Sequence, residues 1–170
     1  MDKSELILNG DGSVYHLKLK PENLSSKIIL VGDQFRVDKI TKHFEKIEFK
    51  VQNREFKSVT GYYNSNRITV ISTGIGSGNI DIVLNELDAL VNINLNTGEL
   101  NKSLKKLELI RIGTSGAIQK DIPVDSFLIS KMAIDVDGFL LNYDLANIDN
   151  TKFNNHIYKE HQIEDDMYCY

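Results

Sequence analysis

Three short apolar runs in this sequence each end in a loop that contains glycine, and two of these loops carry an arginine. The segments are residues 28–36, 70–78 and 107–118. A glycine lets an anion approach the backbone without a Cβ in the way, and a guanidinium group can grip an anion with two parallel hydrogen bonds. Loops at the carboxyl ends of strands in an α/β sheet are where such sites are commonly built. The pattern therefore predicts an anion site at one edge of a sheet.

Four residues are the candidate ligands of that anion. Gly32 precedes a predicted helix, whose first N–H groups have no partner within the helix. Arg36 lies about one helical turn further along, close enough to curl back towards the same anion. Arg111 ends the third apolar run, and Thr114 adds a hydroxyl donor. We expect all four residues to bind this anion.

Strand and helix patterns alternate along the chain, which predicts one α/β domain over residues 1–170. Residues 1–24 are polar and predicted to be irregular, with a turn at residues 10–12. The remaining elements follow from apolar periodicity and turn residues: a strand at 28–31, a helix at 34–46, a β-rich stretch at 49–71 with a hairpin turn at 64–66, a helix at 80–91, and strands at 127–129 and 132–136.

Composition limits the classes of partner. The 170 residues are 41% apolar and 26% charged with a formal net charge of −4, so no overall positive field exists to attract nucleic acid. No apolar stretch approaches the roughly 20 residues that a membrane-spanning helix needs. The single cysteine, Cys169, suits a reducing compartment. We expect a cytoplasmic protein with no nucleic-acid or membrane partner.

With these motifs in this order, the sequence resembles the nucleoside phosphorylase family, the superfamily of purine and uridine phosphorylases, and most closely its uridine phosphorylase branch. The resemblance rests on the loops at 32–36, 73–76 and 111–114. It implies a three-layer fold with a central mixed β-sheet flanked by helices, incomplete at the carboxyl end. It also implies a pentosyltransferase that reversibly converts a nucleoside, expected to be uridine, and inorganic phosphate into free base and ribose 1-phosphate.

The resemblance assigns roles to four further residues. Arg54 matches an arginine that family members lend to the phosphate site across a subunit interface. His16 and Thr73 match positions on the ribose side, with His16 reaching the neighbouring subunit's ribose. Glu55 falls near a position where some uridine phosphorylases hold a monovalent cation such as K⁺. No organic cofactor is implied, and the partners are a nucleoside, phosphate and other copies of the chain, in a dimer-based assembly that extends to hexamers in the family.

Two features depart from the family pattern. Gln34 stands where proline is usual, and residues 77–79 replace a glycine-proline-serine sequence. The residues that read the base and grip the ribose hydroxyls are not found here and are expected beyond Tyr170. We therefore expect a fragment that is inactive alone.

Two alternatives remain open. The first is a nucleosidase of the same fold, in which water replaces phosphate, although a hydrolase does not need three cations around its nucleophile. The second is a non-catalytic phosphate- or nucleotide-binding module, or an assembly subunit.

Overall fold

The computed structural model describes residues 6–131, 134–135, 138–143 and 168–169. The chain divides into two compact units, Met1–Ser115 and Gly116–Tyr170. The regular elements of the first unit are a short 3₁₀ helix, Pro21–Asn23, and the following strands and helices: β1 (Lys27–Val31), α1 (Gln34–Thr41), β2 (Lys46–Asn53), β3 (Phe56–Tyr63), β4 (Asn66–Ser72), α2 (Ser77–Asn92), β5 (Ile93–Asn94), β6 (Glu99–Leu100) and β7 (Glu108–Ile112).

The central sheet of the first unit is mixed. Its strand order is β2-β3-β4-β1-β7, in which β2, β3 and β4 form an antiparallel meander. Strand β1 lies between β4 and β7 and is parallel to both, with Leu30 opposite Ile71 on one side and Arg111 on the other. A mixed sheet with helices packed against it confirms the predicted fold class.

Each long helix covers one face of the sheet. On one face, Val83, Leu87 and Leu90 of α2 pack in a buried cluster that includes Ile28 and Leu30 of β1. On the other face, Val37 of α1 packs with a second cluster, whose sheet members are Val31, Val59 and Val70. Because alternate residues of β1 enter opposite clusters, both faces of this strand are buried, which explains its continuous apolar run.

The irregular amino-terminal segment is part of the core. Between residues 6 and 24 the backbone forms turns, one isolated bridge between Leu8 and Val14, and the short 3₁₀ helix. Nevertheless Val14, Leu17 and Leu19 are fully buried. A tight turn closes by hydrogen bonds from Val14 N to Leu19 O and from Lys18 N to Val14 O, both 3.0 Å. This turn fixes the position of the residue at its centre, His16.

Two predicted elements differ from the structure. Helix α1 ends at Thr41 rather than at residue 46, because the chain then turns and Glu45 N donates to Tyr62 O at 2.8 Å, which starts the pairing of β2 with β3. The strand predicted at 127–129 is wrong: Phe127 and Ile129 are fully exposed, and no strand of the described residues pairs with them. An apolar run becomes a strand only where a partner edge satisfies its backbone.

The second unit contains two short strands and a 3₁₀ helix in its described residues. Strand β8 (Ile134–Asp135) pairs antiparallel with β9 (Tyr168–Cys169), and the 3₁₀ helix is Phe139–Asn142. Strand β8 lies inside the strand predicted at 132–136, and the rest of that prediction falls outside the described residues. No described helix combines the length and the apolar character needed to cross a bilayer.

An ion pair holds α1 against the sheet. The ammonium group of Lys57, on β3, is buried and donates a hydrogen bond to Asp38 Oδ2 on α1, and Lys50 Nζ lies 3.7 Å from Asp38 Oδ1. The hydrogen bond from Lys57 lowers the pKa of Asp38 below the ordinary value for an aspartate. The position of α1 matters because this helix carries Arg36.

We expect this ion pair to make stability depend on pH at the acid end. Because the pKa of Asp38 is lowered in the folded state, its contribution is complete above the ordinary aspartate pKa of about 4 and is lost as the pH falls towards the lowered value. Urea unfolding of wild type and Asp38→Asn between about pH 7 and pH 3 should show a shallower acid dependence in the variant. Asp121→Asn, at an exposed position, is the control; equal slopes for wild type and Asp38→Asn would contradict the prediction.

Candidate phosphate-binding site

The three glycine-containing loops meet at one edge of the sheet. Strands β1, β4 and β7 are adjacent and parallel, so their carboxyl ends lie on the same side. A hydrogen bond of 2.8 Å from Thr73 N to Val31 O joins the loop after β4 to the end of β1. A methyl group in place of the Gly32 hydrogen would lie 3.7 Å from Gly74 O. The predicted convergence of the loops is therefore present in the structure.

The guanidinium group of Arg111 lies between two of these loops. A Cβ added to Gly32 would be 3.9 Å from Arg111 Nη2, and one added to Gly113 would be 3.1 Å from Nη1. The second distance is shorter than ordinary van der Waals contact, so Gly113 leaves the space that this orientation of the arginine uses. Arg111 is exposed, and its charge faces a region that solvent or an anion can reach.

Arg36 joins Arg111 at this edge. Its Nη1 donates to the carbonyl oxygen of Ile112 at 3.3 Å, beside Arg111 in sequence. Helix α1 begins with an aspartate cap, in which Phe35 N donates to Asp33 Oδ1 at 2.9 Å. Among the described residues, neither arginine makes a salt bridge with a carboxylate. Two neighbouring cations without a counter-charge form an electrostatic site for an anion.

The two threonines have different settings. Thr114 follows β7 by two residues and is exposed, at the same end of the sheet as Arg111. Thr73 is fully buried, and its hydroxyl lies 3.0 Å from Gly74 O and 3.3 Å from Val31 O, so it bonds to the protein's own backbone. Its predicted ribose contact stays a prediction.

The loop after β4 is packed tightly against the β2–β3 turn. Gly74 has a positive φ of 71°, and a Cβ there would lie 2.6 Å from Asn79 Nδ2 and 2.9 Å from Glu55 Cγ. Ser72 Oγ donates to the Glu55 carbonyl oxygen at 2.6 Å. Glu55 and Asn79 are thus brought together, but no group of three or more His, Cys, Asp or Glu side chains that could hold a metal ion occurs in the described part of the chain. The cation role of Glu55 stays a prediction.

His16 and Arg54, both predicted to serve a neighbouring subunit, belong to a second group of residues. Arg54 is exposed at the β2–β3 turn with a positive φ of 53°. The adjacent Asn53 donates from Nδ2 to the His16 carbonyl oxygen at 2.8 Å. Of the five predicted phosphate ligands, Arg111 lies beside Gly32, Arg36 donates to the carbonyl oxygen of Ile112, Thr114 is at the same end of the sheet, and Arg54 lies at the β2–β3 turn.

Sequence reasoning did not identify Glu86, the residue that anchors His16. Glu86 is buried on α2, and Oε1 accepts hydrogen bonds from His16 N at 2.8 Å and from the His16 ring at 2.7 Å, while Oε2 accepts from Leu17 N at 2.8 Å. The sequence did contain a signal that this residue is buried. Glu86 lies three residues after Val83 and four before Leu90, on the apolar face of its helix. An acid at such a position needs a buried partner.

The comparisons with known proteins give a family and several relatives. Residues 26–168 match the family model of the phosphorylase superfamily. The chain is 32% identical to the uridine phosphorylase of Thermococcus kodakarensis over 78% of this chain and 43% of that protein. It is 31% identical to a purine nucleoside phosphorylase of the DeoD type from Streptococcus suis over 79% of this chain and 51% of that protein. The chain thus spans about half the length of these curated relatives.

A solved structure agrees with these matches. A nucleoside phosphorylase of Trypanosoma brucei, which shows uridine phosphorylase activity, superposes with a TM-score of 0.86 at 30% identity. The superposition covers 96% of this chain and 57% of that one.

The close contacts around Gly74 predict that a side chain at this position destabilises the fold. We expect Gly74→Ala to lower the free energy of unfolding by about 1–3 kcal/mol, because alanine disfavours the positive φ and its Cβ would collide with Asn79 and Glu55. Urea denaturation measures the change. Gly78→Ala is the matched control, since nothing lies within 4 Å of its Cβ position and its φ is not positive. Equal losses of unfolding free energy in the two variants would show that the close contacts of Gly74 with Asn79 and Glu55 are not the cause of the loss.

Proposed function

The chain belongs to the phosphorylase superfamily, and we propose that it carries the phosphate-binding part of a nucleoside phosphorylase that acts on uridine. The observation that carries the proposal is the position of two arginines at one edge of the sheet: the Arg111 guanidinium group lies beside Gly32 and Gly113, and Arg36 donates to the carbonyl oxygen of Ile112, the next residue. Neither arginine makes a salt bridge among the described residues. The relatives named uridine phosphorylase support the choice of nucleoside.

The arrangement suits phosphate as a nucleophile. In phosphorolysis a phosphate oxygen forms a bond to C1′ of the ribose while the bond from C1′ to the base nitrogen breaks, and the electron pair of that bond leaves with the base. Arg36 and Arg111 would hold the phosphate, and Thr114 would donate a hydrogen bond to it. Their work is to position the nucleophile and to stabilise charge. A hydrolase would have no phosphate for these cations to bind, so the hydrolytic alternative has less support.

The second group of residues would act on a neighbouring copy of the chain. Support comes from Asn53, which links the His16 backbone to the turn that carries Arg54. The backbones of His16 and Arg54 are therefore close together, as two residues that serve one neighbouring site must be. In this proposal the assembly is a homo-oligomer built from dimers, Arg54 completes the partner's phosphate site, and His16 reaches the partner's ribose. The pair Glu55 and Asn79 would hold a monovalent cation such as K⁺ near this interface.

The first test of the function is a titration with inorganic phosphate. We expect the 170-residue protein to bind phosphate and Arg111→Ala to bind it about 10- to 150-fold more weakly, the range that corresponds to one lost hydrogen bond from a charged group. Calorimetry measures the affinity at constant ionic strength.

A control separates the site from net charge. Lys27→Ala removes one positive charge at the opposite end of β1, where Lys27 Nζ contacts Asn66. This variant should bind phosphate like wild type. Equal affinity of wild type and Arg111→Ala would contradict the proposed site.

The second test concerns the shared site. Arg54→Ala and Arg111→Ala should each weaken phosphate binding, because each removes a cation from every site of the homo-oligomer. In mixed oligomers, one site carries both substitutions and another carries none, so tight binding should return to part of the sites. Energy transfer between labelled chains confirms mixing, and calorimetry counts the tight sites. Confirmed mixing with no tight sites would overturn the role of Arg54 across the interface.

A further inference from the structure

Glu86 is a buried carboxylate with three hydrogen-bond donors around it. The residue is 6% exposed and sits on α2, about 70 positions along the chain from its partners. Two of the donors are the backbone N–H groups of His16 and Leu17, both at 2.8 Å, and the third is the His16 ring nitrogen Nδ1 at 2.7 Å. A carboxylate can only accept hydrogen bonds, and each of the three groups that contact Glu86 can donate one.

The contacts determine which nitrogen of His16 carries the proton. Because Glu86 can only accept, Nδ1 must be the N–H that donates to it. In the neutral imidazole the other nitrogen, Nε2, then has a free lone pair and can accept a hydrogen bond from a ligand. The ring is also oriented by edge contacts with Tyr15, at a centroid separation of 4.9 Å, and with Phe56, at 6.1 Å.

The His16 side chain borders an open cleft. The cleft has a volume of about 300 Å³, and its lining includes His16, Tyr15, Ile7 and Ile82. His16 is partly exposed, with a side-chain exposure of 27% against 8% for Glu86. The carboxylate is thus shielded from water while the imidazole remains accessible.

We propose that Glu86 is a positioning residue for ribose recognition: it holds His16 in the tautomer whose Nε2 accepts a hydrogen bond from a ribose hydroxyl. The inference rests on the proposed function, in which His16 serves the ribose of a neighbouring copy. Glu86 acts through His16 and touches no reacting atom. A histidine that was free to place its proton on either nitrogen would accept from the hydroxyl only part of the time.

The test uses Glu86→Ala in the 170-residue protein. Alanine offers the ring no acceptor, so the proton of the imidazole is no longer held on Nδ1. Nitrogen-15 NMR of the ring should show Nδ1–H in wild type and a population of Nε2–H in the variant. Asp88→Ala is the matched control, with a carboxylate removed at an exposed position of the same helix, and should leave the His16 signals unchanged.

Binding provides the second measurement. Wild type should bind ribose 1-phosphate more tightly than inorganic phosphate by about fivefold, the value of one hydrogen bond. In Glu86→Ala this preference should fall, while the affinity for inorganic phosphate stays at the wild-type value. An Nε2–H tautomer in wild type, no change of tautomer in the variant, or an unchanged preference for ribose 1-phosphate would each overturn the inference.

Different experimental outcomes would contradict the proposed phosphate-binding function and the proposed role of Glu86. A loss of both affinities in Glu86→Ala would show that Glu86 supports the structure generally, which contradicts a positioning role. If phosphate binding depends on Arg111 but wild type does not distinguish the two ligands, the ribose inference falls and the phosphate site stands. If phosphate binding does not depend on Arg111, the proposed function falls and the inference falls with it.

Discussion

The parallel pairing of β1 with both β4 and β7 is the constraint on which the proposed phosphate site depends. A strand flanked by two parallel neighbours places three carboxyl-terminal loops at one edge, and these are the loops that carry Gly32, Gly74 and Gly113. The register of the pairing between β1 and β7 matters as much as the parallel direction of these strands. With Leu30 opposite Arg111, the guanidinium group reaches the space between Gly32 and Gly113. A slip of one residue would turn Arg111 to the other face of the sheet. The apolar clusters on both faces of β1 prevent such a slip, since it would move buried side chains into the wrong layer.

The charge at the site is local rather than global. A chain with a net charge of −4 has no general attraction for phosphate, so the two arginines must act at short range. Arg67 shows the contrast, because its Nε donates to Glu48 at 2.6 Å and its guanidinium also donates to the carbonyl oxygens of Leu24 and Glu22. That arginine is neutralised and serves the fold. Arg36 donates only to a backbone carbonyl oxygen among the described residues, which leaves its charge uncompensated.

The three glycine-containing loops could be predicted from the sequence because each is contiguous: an apolar run and a glycine lie within a few residues of each other, and two of the loops add an arginine. The contacts of His16 could not, because Asn53 and Glu86 are 37 and 70 positions away and no local pattern pairs them. The contacts of the Thr73 hydroxyl with the backbone oxygens of Val31 and Gly74 depend on a side-chain rotamer, which no sequence pattern indicates. The prediction of a strand at 127–129 was wrong because strand formation also depends on distant parts of the chain. Apolar character is local, but a strand requires a partner edge, and none of the described residues supplies one.

Helix α2 and the β2–β3 turn connect the two groups of residues. Near its start α2 places Asn79 beside Gly74, and seven residues later it places Glu86 beneath His16, a separation of roughly 10 Å along a rigid helix. The turn makes the same connection from the other side, because Glu55 packs on Gly74 while Asn53, two residues earlier, holds the His16 backbone. Arg54 stands between these two anchors, so its backbone is fixed at both neighbours although its side chain is exposed. The positive φ of Arg54 belongs to the two-residue turn that joins β2 to β3. The phosphate loops and the groups proposed to serve a neighbouring copy are therefore held at a set distance by the same two elements.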